Sequence, residues 1–189
     1  MIAPTKFNPM YGWTPTSHAL AVMKAARSKV GLVEGGGPDG HSGNKIFVWD
    51  WWKSLTGSND QGQPYCAAGL SWEFAQGGAS SLIAAENKYG FIYCPDGVEF
   101  FKNKKSFLKP EYAHFCDPVF FDWDGSGVSD HVGLVIYNRG NMLTTVEWNT
   151  SPEHSSGSQS NGGGVYIRNR LMDGTILGVG RPDWNSLKG

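Results

Sequence analysis

The pattern of apolar residues changes its period part-way along the chain, and this change constrains the fold more than any other feature. Upstream, apolar residues recur at helical spacing, as in segments 17–30 and 80–89, which we predict to be helices. From Pro118 onward, short apolar runs alternate with turn residues, as is typical of strands. The predicted strands are 119–121, 131–137, 142–149, 164–170 and 175–180. The sequence therefore predicts an α+β fold, with N-terminal helices packed on an antiparallel sheet of about five strands.

The length of 189 residues suits one domain with a sizeable core. We divide the chain into an N-terminal extension (1–16), one catalytic domain (17–182) and a C-terminal tail (183–189). The polar stretch 151–164 has the composition of a linker, but only about 25 residues follow it, too few for a second domain. We interpret this stretch as a long flexible loop at the end of the sheet.

Composition excludes several classes of function. The chain has 16 Lys and Arg against 17 Asp and Glu, so it lacks the basic balance of a nucleic-acid-binding protein. No run approaches the ~18 apolar residues of a membrane span, and residues 1–10 do not have the character of a signal peptide. The three cysteines form no C-x-x-C pair, which argues against a disulfide framework and a zinc ribbon.

One cysteine, Cys66, lies just inside a predicted helix start. Pro64 has the fixed φ of a first helical turn, and Ala67, Leu70 and Phe74 form an apolar stripe. Because the first N–H groups of a helix lack partners, a thiol placed there has a lowered pKa and a larger nucleophilic thiolate fraction. The alternative is a buried cysteine that packs as a small hydrophobe.

A predicted hairpin brings three polar residues to one end of the sheet. With a turn over 138–141, His131 lies across from position 148, give or take one residue. Glu147 and Asn149 flank that position and, being two apart, project from one face. A one-residue adjustment or a bulge would place His131 on the same face. The alternative is an ordinary sheet rim, where such residues are common.

These residue types suit thiol-dependent acyl transfer. A thiol needs a neighbouring base, and the imidazole of His131 is the usual kind. The imidazole in turn needs an acceptor on its second nitrogen, a role open to Glu147 or Asn149. Packed against the sheet, the helix start would add Cys66 to the three residues of the hairpin.

Three segments together resemble the CHAP domain, the cysteine- and histidine-dependent amidohydrolase/peptidase module of the papain-like NlpC/P60 group. They are PYCAAGLSW, DPVFFDWDGSGVSDHVGLV and VEWN, and the resemblance spans about 17–180. It implies a papain-like fold in which Cys66 is the nucleophile, His131 is the base, and Glu147 and Asn149 assist.

The sequence departs from the family in one place. Cys116, Asp117 and Pro118 stand where the family usually has Gly-Asp before a strand. Asp and Pro can preserve the turn, so we expect Cys116 to be structural.

The resemblance also implies an activity, the cysteine-dependent hydrolysis of a peptidoglycan amide bond, as in phage endolysins. The enzyme would be either an N-acetylmuramoyl-L-alanine amidase or a peptidoglycan endopeptidase. We expect a monomer that needs no cofactor, is made in the host cytoplasm without a signal peptide, and acts on the cell wall after release. The alternatives are a zinc-dependent amidase and a non-catalytic wall-binding or virion structural module. The order Cys, His, Glu-x-Asn argues against both.

Substrate contacts are less well defined by the sequence. The Cys66 backbone N–H is suited to hold an oxyanion, with the side chain of Gln63 or Gln61 as a candidate second donor. Loops 35–44 and 151–164 would confer selectivity, and cleft aromatic residues could stack on the glycan.

Two further clusters have residue types that could bind a metal ion. The loop 122–130 places Asp122, Asp124 and Asp130 at calcium-loop positions, but Gly133 stands where the bidentate glutamate belongs, and a tight turn explains the same residues. His114, Cys116, Cys94 and His41 match no compact zinc spacing, so no zinc site is expected.

Overall fold

The computed structural model of the protein describes residues 14–35 and 43–187, and these residues form an α+β fold, as predicted. Its α-helices are α1 (Ser17–Ser28), α2 (Phe47–Thr56), α3 (Cys66–Gln76) and α4 (Cys94–Asn103). Its strands are β1 (Phe107–Leu108), β2 (Pro118–Phe121), β3 (His131–Asn138), β4 (Met142–Thr150), β5 (Gly164–Leu171) and β6 (Ile176–Gly180). Among the described residues, no helix has the length and apolar character needed to cross a bilayer.

The strands form one antiparallel sheet in the order β1-β6-β2-β3-β4-β5. All five predicted strands are present. The sixth, β1, has two residues that pair with β6, and it is too short to show a period-two pattern in the sequence. The hairpin of β3 and β4 lies inside the sheet, between β2 and β5.

Of the two helices predicted over 17–30 and 80–89, the structure confirms the first and contradicts the second. The helix over 17–30 is confirmed as α1, and the Thr16 side chain accepts a hydrogen bond from the Ala19 backbone N–H at its start. The helix over 80–89 is wrong, because only Ser80–Ile83 forms a short 3-10 turn. Directly after it, Ala84 leaves the helical conformation with ψ 62°, and the chain then forms a tight turn in which Asn87 pairs with Gly90.

Two further helices form in segments so rich in aromatic residues that the helical spacing of apolar residues is not visible in the sequence. The tryptophan-rich segment after residue 46 is α2, which ends at the left-handed Gly57. The segment 91–109, which is rich in aromatic and basic residues, contains α4, and Pro95 lies in the first turn of this helix. Four lysines of that segment are exposed to solvent: Lys102, Lys104, Lys105 and Lys109.

The helices cover one face of the sheet. Five side chains of β2, β3 and β4 face them in the main core: Phe120, Val132, Leu134, Val146 and Trp148. Gly69 of α3 packs so closely on the indole ring of Trp148 that a Cβ added to Gly69 would be 2.3 Å from the ring. Alternate residues of the strands point to the opposite face, where they form a smaller core with Phe121, Val135 and Leu143.

The C-terminal end of the described chain packs on the main core. The ring of Trp184 stacks on Phe74 of α3 with 5.6 Å between centroids, and Trp184 is buried. Residues 1–13, within the predicted N-terminal extension, and residues 188–189 lie outside the described residues.

Candidate active site

Cys66 is the first residue of α3, as predicted, and its side chain is 4% exposed. No side chain caps the start of α3, so the first N–H groups of the helix are directed at this region. A hydrogen bond from the Cys94 thiol, the His131 ring and the Val132 backbone N–H together lower the pKa of Cys66, although burial acts in the opposite direction. The environment of Cys66 therefore favours a thiolate.

His131 is the first residue of β3 and is completely buried. Its Nε2 lies 3.1 Å from Oε2 of Glu147. Its Nδ1 is also buried, makes no regular hydrogen bond within the described residues, and is the nitrogen left to interact with the Cys66 sulfur. Burial alone would lower the pKa of His131, but its interactions with Cys66 and Glu147 raise it to about 9.

Glu147 lies in β4 directly across from Gly133 of β3, and it is also completely buried. Besides His131, its carboxylate accepts hydrogen bonds from Thr145 Oγ1 at 2.6 Å and from the Arg170 guanidinium. Burial alone would raise the pKa of Glu147, but the bonds from Arg170 and His131 lower it to about 2. Glu147 is therefore a carboxylate throughout the physiological pH range.

Cys66, His131 and Glu147, called the relay below, form a charge-balanced group with Arg170. The lowered pKa of Cys66 and the raised pKa of His131 favour a thiolate beside a protonated imidazole, the Glu147 carboxylate lies on the other side of the ring, and Arg170 supplies the second positive charge. Two negative and two positive charges offset one another, which makes their common burial tolerable. The arrangement can present a nucleophilic sulfur and a proton donor to the same bound carbonyl compound.

The hairpin reaches this geometry through a bulge. Next to the turn, Tyr137 pairs with Thr144, whereas beyond the bulge Val135 pairs with Thr145, so Ile136 is the extra residue. The bulge supplies the one-residue adjustment that the sequence analysis required. It places His131 and Glu147 on one face of the sheet, the face opposite the helices.

Asn149, the fourth predicted catalytic residue, does not contact the His131 ring. Its Nδ2 donates to the Ser160 carbonyl at 3.1 Å, and its backbone is left-handed, with φ +57°. Its Oδ1 is buried and has no partner among the described residues. The structure therefore brings Cys66, His131 and Glu147 together and directs Asn149 towards the loop after β4. A catalytic role of Asn149 stays a prediction.

Two residues of this site were not predicted from the sequence. Arg170, on β5, binds the Glu147 carboxylate with two nitrogens. The available signal was the pair Arg168 and Arg170, two apart on a strand that reads as buried, since buried arginines need carboxylate partners. Cys94, the first residue of α4, has its Sγ 3.6 Å from Sγ of Cys66. No sequence signal relates these two cysteines.

The candidate oxyanion donors differ in availability. The Gln61 side chain is engaged at the start of α2, where its amide bonds both backbone groups of Ile46 and the Asp50 carboxylate. Gln63 is exposed, and its carbonyl accepts a hydrogen bond from the Trp49 indole. The Cys66 backbone N–H lies at the helix start, as predicted.

Oxygens of Asp122, Asp124 and Asp130 lie within 4.8 Å of one another, the sole cluster in the described part of the chain with metal-ligand spacing. The Asp122 carboxylate already accepts hydrogen bonds from the N–H groups of Gly125, Ser126 and Gly127. Asp130 accepts another from Trp123. These bonds account for the turn, and calcium binding remains the untested alternative.

The four residues with zinc-ligand side chains do not form a cluster among the described residues. Cys94 contacts Cys66, whereas the Cys116 thiol donates to the Ala19 carbonyl at 3.1 Å within the core, in keeping with a structural role. His41 lies outside the described residues.

Comparison with known proteins adds a likeness of fold. No protein-family model matches the chain, and no curated protein matches it. Among solved structures, the chain is similar to a protein from Staphylococcus aureus subsp. aureus Mu50, described as similar to a lipoprotein of the NLP/P60 family. The identity is 14% and the TM-score is 0.44, over 96% of this chain and 44% of the other. The chain thus spans less than half the length of that protein, and the likeness concerns the fold alone.

Proposed function

We propose that this protein is a cysteine-dependent hydrolase of peptidoglycan amide bonds. The observation that carries the proposal is the buried relay of Cys66, His131 and Glu147, in which a thiol at a helix start meets an imidazole oriented by a carboxylate. The substrate class rests on the resemblance of the motifs around these residues to CHAP domains. Bacterial peptidoglycan is the proposed partner, and no cofactor takes part in the proposed chemistry.

The relay performs both halves of an acyl transfer. The Cys66 thiolate attacks the amide carbon, and the Cys66 backbone N–H holds the resulting oxyanion. The protonated His131 donates its Nδ1 proton to the leaving amine, which breaks the C–N bond and leaves a thioester. Neutral His131 then takes a proton from the water that attacks the thioester, the C–S bond breaks, the acyl group leaves as a carboxylic acid, and the Cys66 thiolate is regenerated beside protonated His131.

We propose further that the protein is a phage endolysin, or the catalytic domain of one, and acts as a monomer. In this proposal it is made in the host cytoplasm and reaches the cell wall after release. Tyr93 precedes Cys94 and is 60% exposed beside the site, so its ring is a candidate surface for stacking on the glycan.

The test is a turbidity assay on purified bacterial cell walls with the parent protein, Cys66→Ala and Cys116→Ala. We expect the parent and Cys116→Ala to clear the walls and Cys66→Ala to be inactive, because Cys116 lies in the core away from the relay. Cys116→Ala controls for the loss of a buried thiol. Clearing by Cys66→Ala at the parent rate would refute the thiol mechanism.

The soluble products identify the bond. A new amino terminus on the first stem residue indicates an amidase, and one further along the peptide indicates an endopeptidase. Activity that a chelator abolishes would point to the zinc-dependent alternative. Wall binding without turnover by the parent would point to the non-catalytic alternative.

A further inference from the structure

Arg170 is the most heavily bonded side chain around the relay. Its Nε donates to Oε1 of Glu147 at 2.9 Å, and its Nη2 donates to Oε2, the same oxygen that contacts His131. Its Nη1 donates to Oε1 of Gln159 at 2.7 Å. The guanidinium carbon also lies 4.8 Å from the centroid of the Trp123 ring.

These contacts restrict the Glu147 carboxylate to one orientation. A two-pronged bond from a planar guanidinium defines the plane of the carboxylate as well as its position. Because Oε2 is shared between Arg170 and His131, rotation of the carboxylate away from the ring would break both contacts. Stacking on Trp123 and the bond to Gln159 in turn hold the guanidinium.

We propose that Arg170 is a positioning residue that keeps the Glu147 carboxylate charged and aimed at His131, and thereby maintains the reactive thiolate of Cys66. This inference deepens the proposed function and rests on it. Arg170 does not touch the sulfur and acts through Glu147 and His131.

The charged and titratable groups around the relay come from every element that surrounds it. They are Tyr65 and Cys66 at the start of α3, Cys94 of α4, Asp130 before β3, His131 of β3, Glu147 of β4, Arg168 and Arg170 of β5, and Asp173 after β5. In a variant that lacks the Arg170 charge, a Cys66 thiolate would give the buried relay a net negative charge. Formation of the thiolate would then require a higher pH.

The experiment measures the rate at which iodoacetamide alkylates Cys66 across a pH series, followed on the Cys66 peptide by mass spectrometry. Alkylation follows the thiolate fraction and needs no substrate. We expect Arg170→Gln to move the acid limb of this profile to higher pH by about one unit. Arg170→Lys, which keeps the charge without the planar fork, should give a smaller shift.

Arg168→Gln is the matched control. Arg168 donates to Gln159 at 2.7 Å and to the Ser151 carbonyl, but it makes no hydrogen bond to Glu147. Because its charge acts on Glu147 only through space, we expect this variant to lose thermal stability and to move the acid limb less than Arg170→Gln does. If Arg170→Gln lowers thermal stability and leaves the acid limb at the parent position, Arg170 is structural and the proposal is overturned.

The wall assay distinguishes this proposal from the proposed function. A shifted alkylation profile in a protein that clears no walls would support the role of Arg170 and contradict the substrate class. An unshifted profile in a protein that clears walls through Cys66 would do the reverse.

A second inference rests on the contact between two thiols. Cys66 and Cys94 begin two different helices, are both buried, and have their sulfur atoms 3.6 Å apart. A disulfide would shorten this distance to the bonding distance of about 2 Å. We infer that hydrogen peroxide converts Cys66 and Cys94 to a reversible disulfide that protects the nucleophile from irreversible oxidation.

The steps balance with peroxide as the oxidant. The Cys66 thiolate attacks one peroxide oxygen and the O–O bond breaks. Hydroxide departs, and Cys66 becomes a sulfenic acid. The Cys94 sulfur then attacks the Cys66 sulfur, and the sulfenic oxygen leaves with the Cys94 proton as water. Two thiols are oxidised, and one peroxide is reduced to two waters in all.

Peptide mass spectrometry after exposure to peroxide tests this inference without a wall substrate. We expect the parent and Cys116→Ala to give a cross-linked peptide of Cys66 and Cys94, lighter by two hydrogens, and dithiothreitol to restore their initial activity. In Cys94→Ala we expect Cys66 to gain oxygen atoms and lose its activity irreversibly, relative to the same variant before exposure. Oxygen uptake at Cys66 of the parent without a cross-link, or no oxidation of either thiol, would refute the inference.

Discussion

Glu147 occupies the space that a side chain on Gly133 would fill. The two residues face each other across β3 and β4, and a Cβ on Gly133 would lie 2.7 Å from Cγ of Glu147. The glutamate can therefore lie over the bare backbone of Gly133 and reach the ring of His131, two residues before Gly133 in β3. Gly133 is needed here for space, not for an unusual φ.

We predict that Gly133→Ala displaces the Glu147 carboxylate and lowers kcat/KM for wall hydrolysis by about 10²-fold, the usual effect of a misplaced catalytic group. The measurement is a double-mutant cycle with Glu147→Ala. In the Glu147→Ala background, the glycine substitution should have little further effect on activity. Independent, additive losses would show that Gly133 acts by another route.

We predict that Glu147→Gln and Asn149→Ala differ in their effects on activity. A neutral amide cannot stabilise the protonated His131, so Glu147→Gln should lower kcat by about 10²-fold or more. Asn149 bonds the Ser160 carbonyl instead of the ring, so Asn149→Ala should remain within about tenfold of the parent. Equal losses in steady-state assays would indicate that the Asn149 amide turns onto His131 when substrate binds.

We predict an alkaline limit of activity set by His131. Because its pKa is raised to about 9, the ring loses the proton that the leaving amine needs as the pH rises through that value. Its contribution to stability is complete below its ordinary pKa of 6.5 and lost as the pH rises through 9. The contribution of Glu147 is complete above 4.5 and lost as the pH falls through 2.

The pH–rate profile of wall hydrolysis and the melting temperature over the same pH series provide the measurements. Both should decline on the alkaline side near pH 9. A decline centred on 6.5, the ordinary pKa of histidine, would show that His131 is not held by Cys66 and Glu147 in the way described.

We predict that Glu73→Gln weakens the dependence of stability on pH. Glu73 is buried in α3, accepts a hydrogen bond from the Trp148 indole at 2.6 Å, and has no partner for Oε2 among the described residues. Burial raises the pKa of Glu73 well above 4.5, so its favourable contribution is complete below 4.5 and is lost as the pH rises. Glutamine keeps the acceptor for Trp148 without an ionisable group.

Chemical denaturation of both proteins at acid and neutral pH tests this prediction. Relative to the parent, Glu73→Gln should gain at least about 1 kcal/mol of unfolding free energy on going from acid to neutral pH. Parallel pH curves for the two proteins would show that Glu73 does not resist ionisation in the fold.

The order of elements and three members of the site could be predicted because their signals are local. Pro64 and the apolar stripe mark the start of α3, and the turn at 138–141 marks the hairpin that carries His131 and Glu147. Local signals do not extend to Arg170. The loop between β4 and β5 is long enough to allow several registers, and only the observed one places Arg170 on Glu147.

Other features were missed for a similar reason. The contact between Cys66 and Cys94 depends on how α3 and α4 pack, which no pattern within either helix specifies. The turn of Asn149 towards Ser160 depends on an irregularity in the pairing of β4 with β5 after Glu147. Helix 80–89 failed because a run of apolar residues too short for a helix was extended into a turn.

The extra residue at Ile136 decides whether a chain with these motifs has a working site. If regular pairing continued from Tyr137 and Thr144, Glu147 would lie opposite Leu134 and point into the helix-covered core, away from His131. A carboxylate there would be a buried, uncompensated charge instead of the partner of an imidazole. A homologue that keeps the cysteine, histidine and glutamate but lacks this irregularity would therefore match the motifs and be inert.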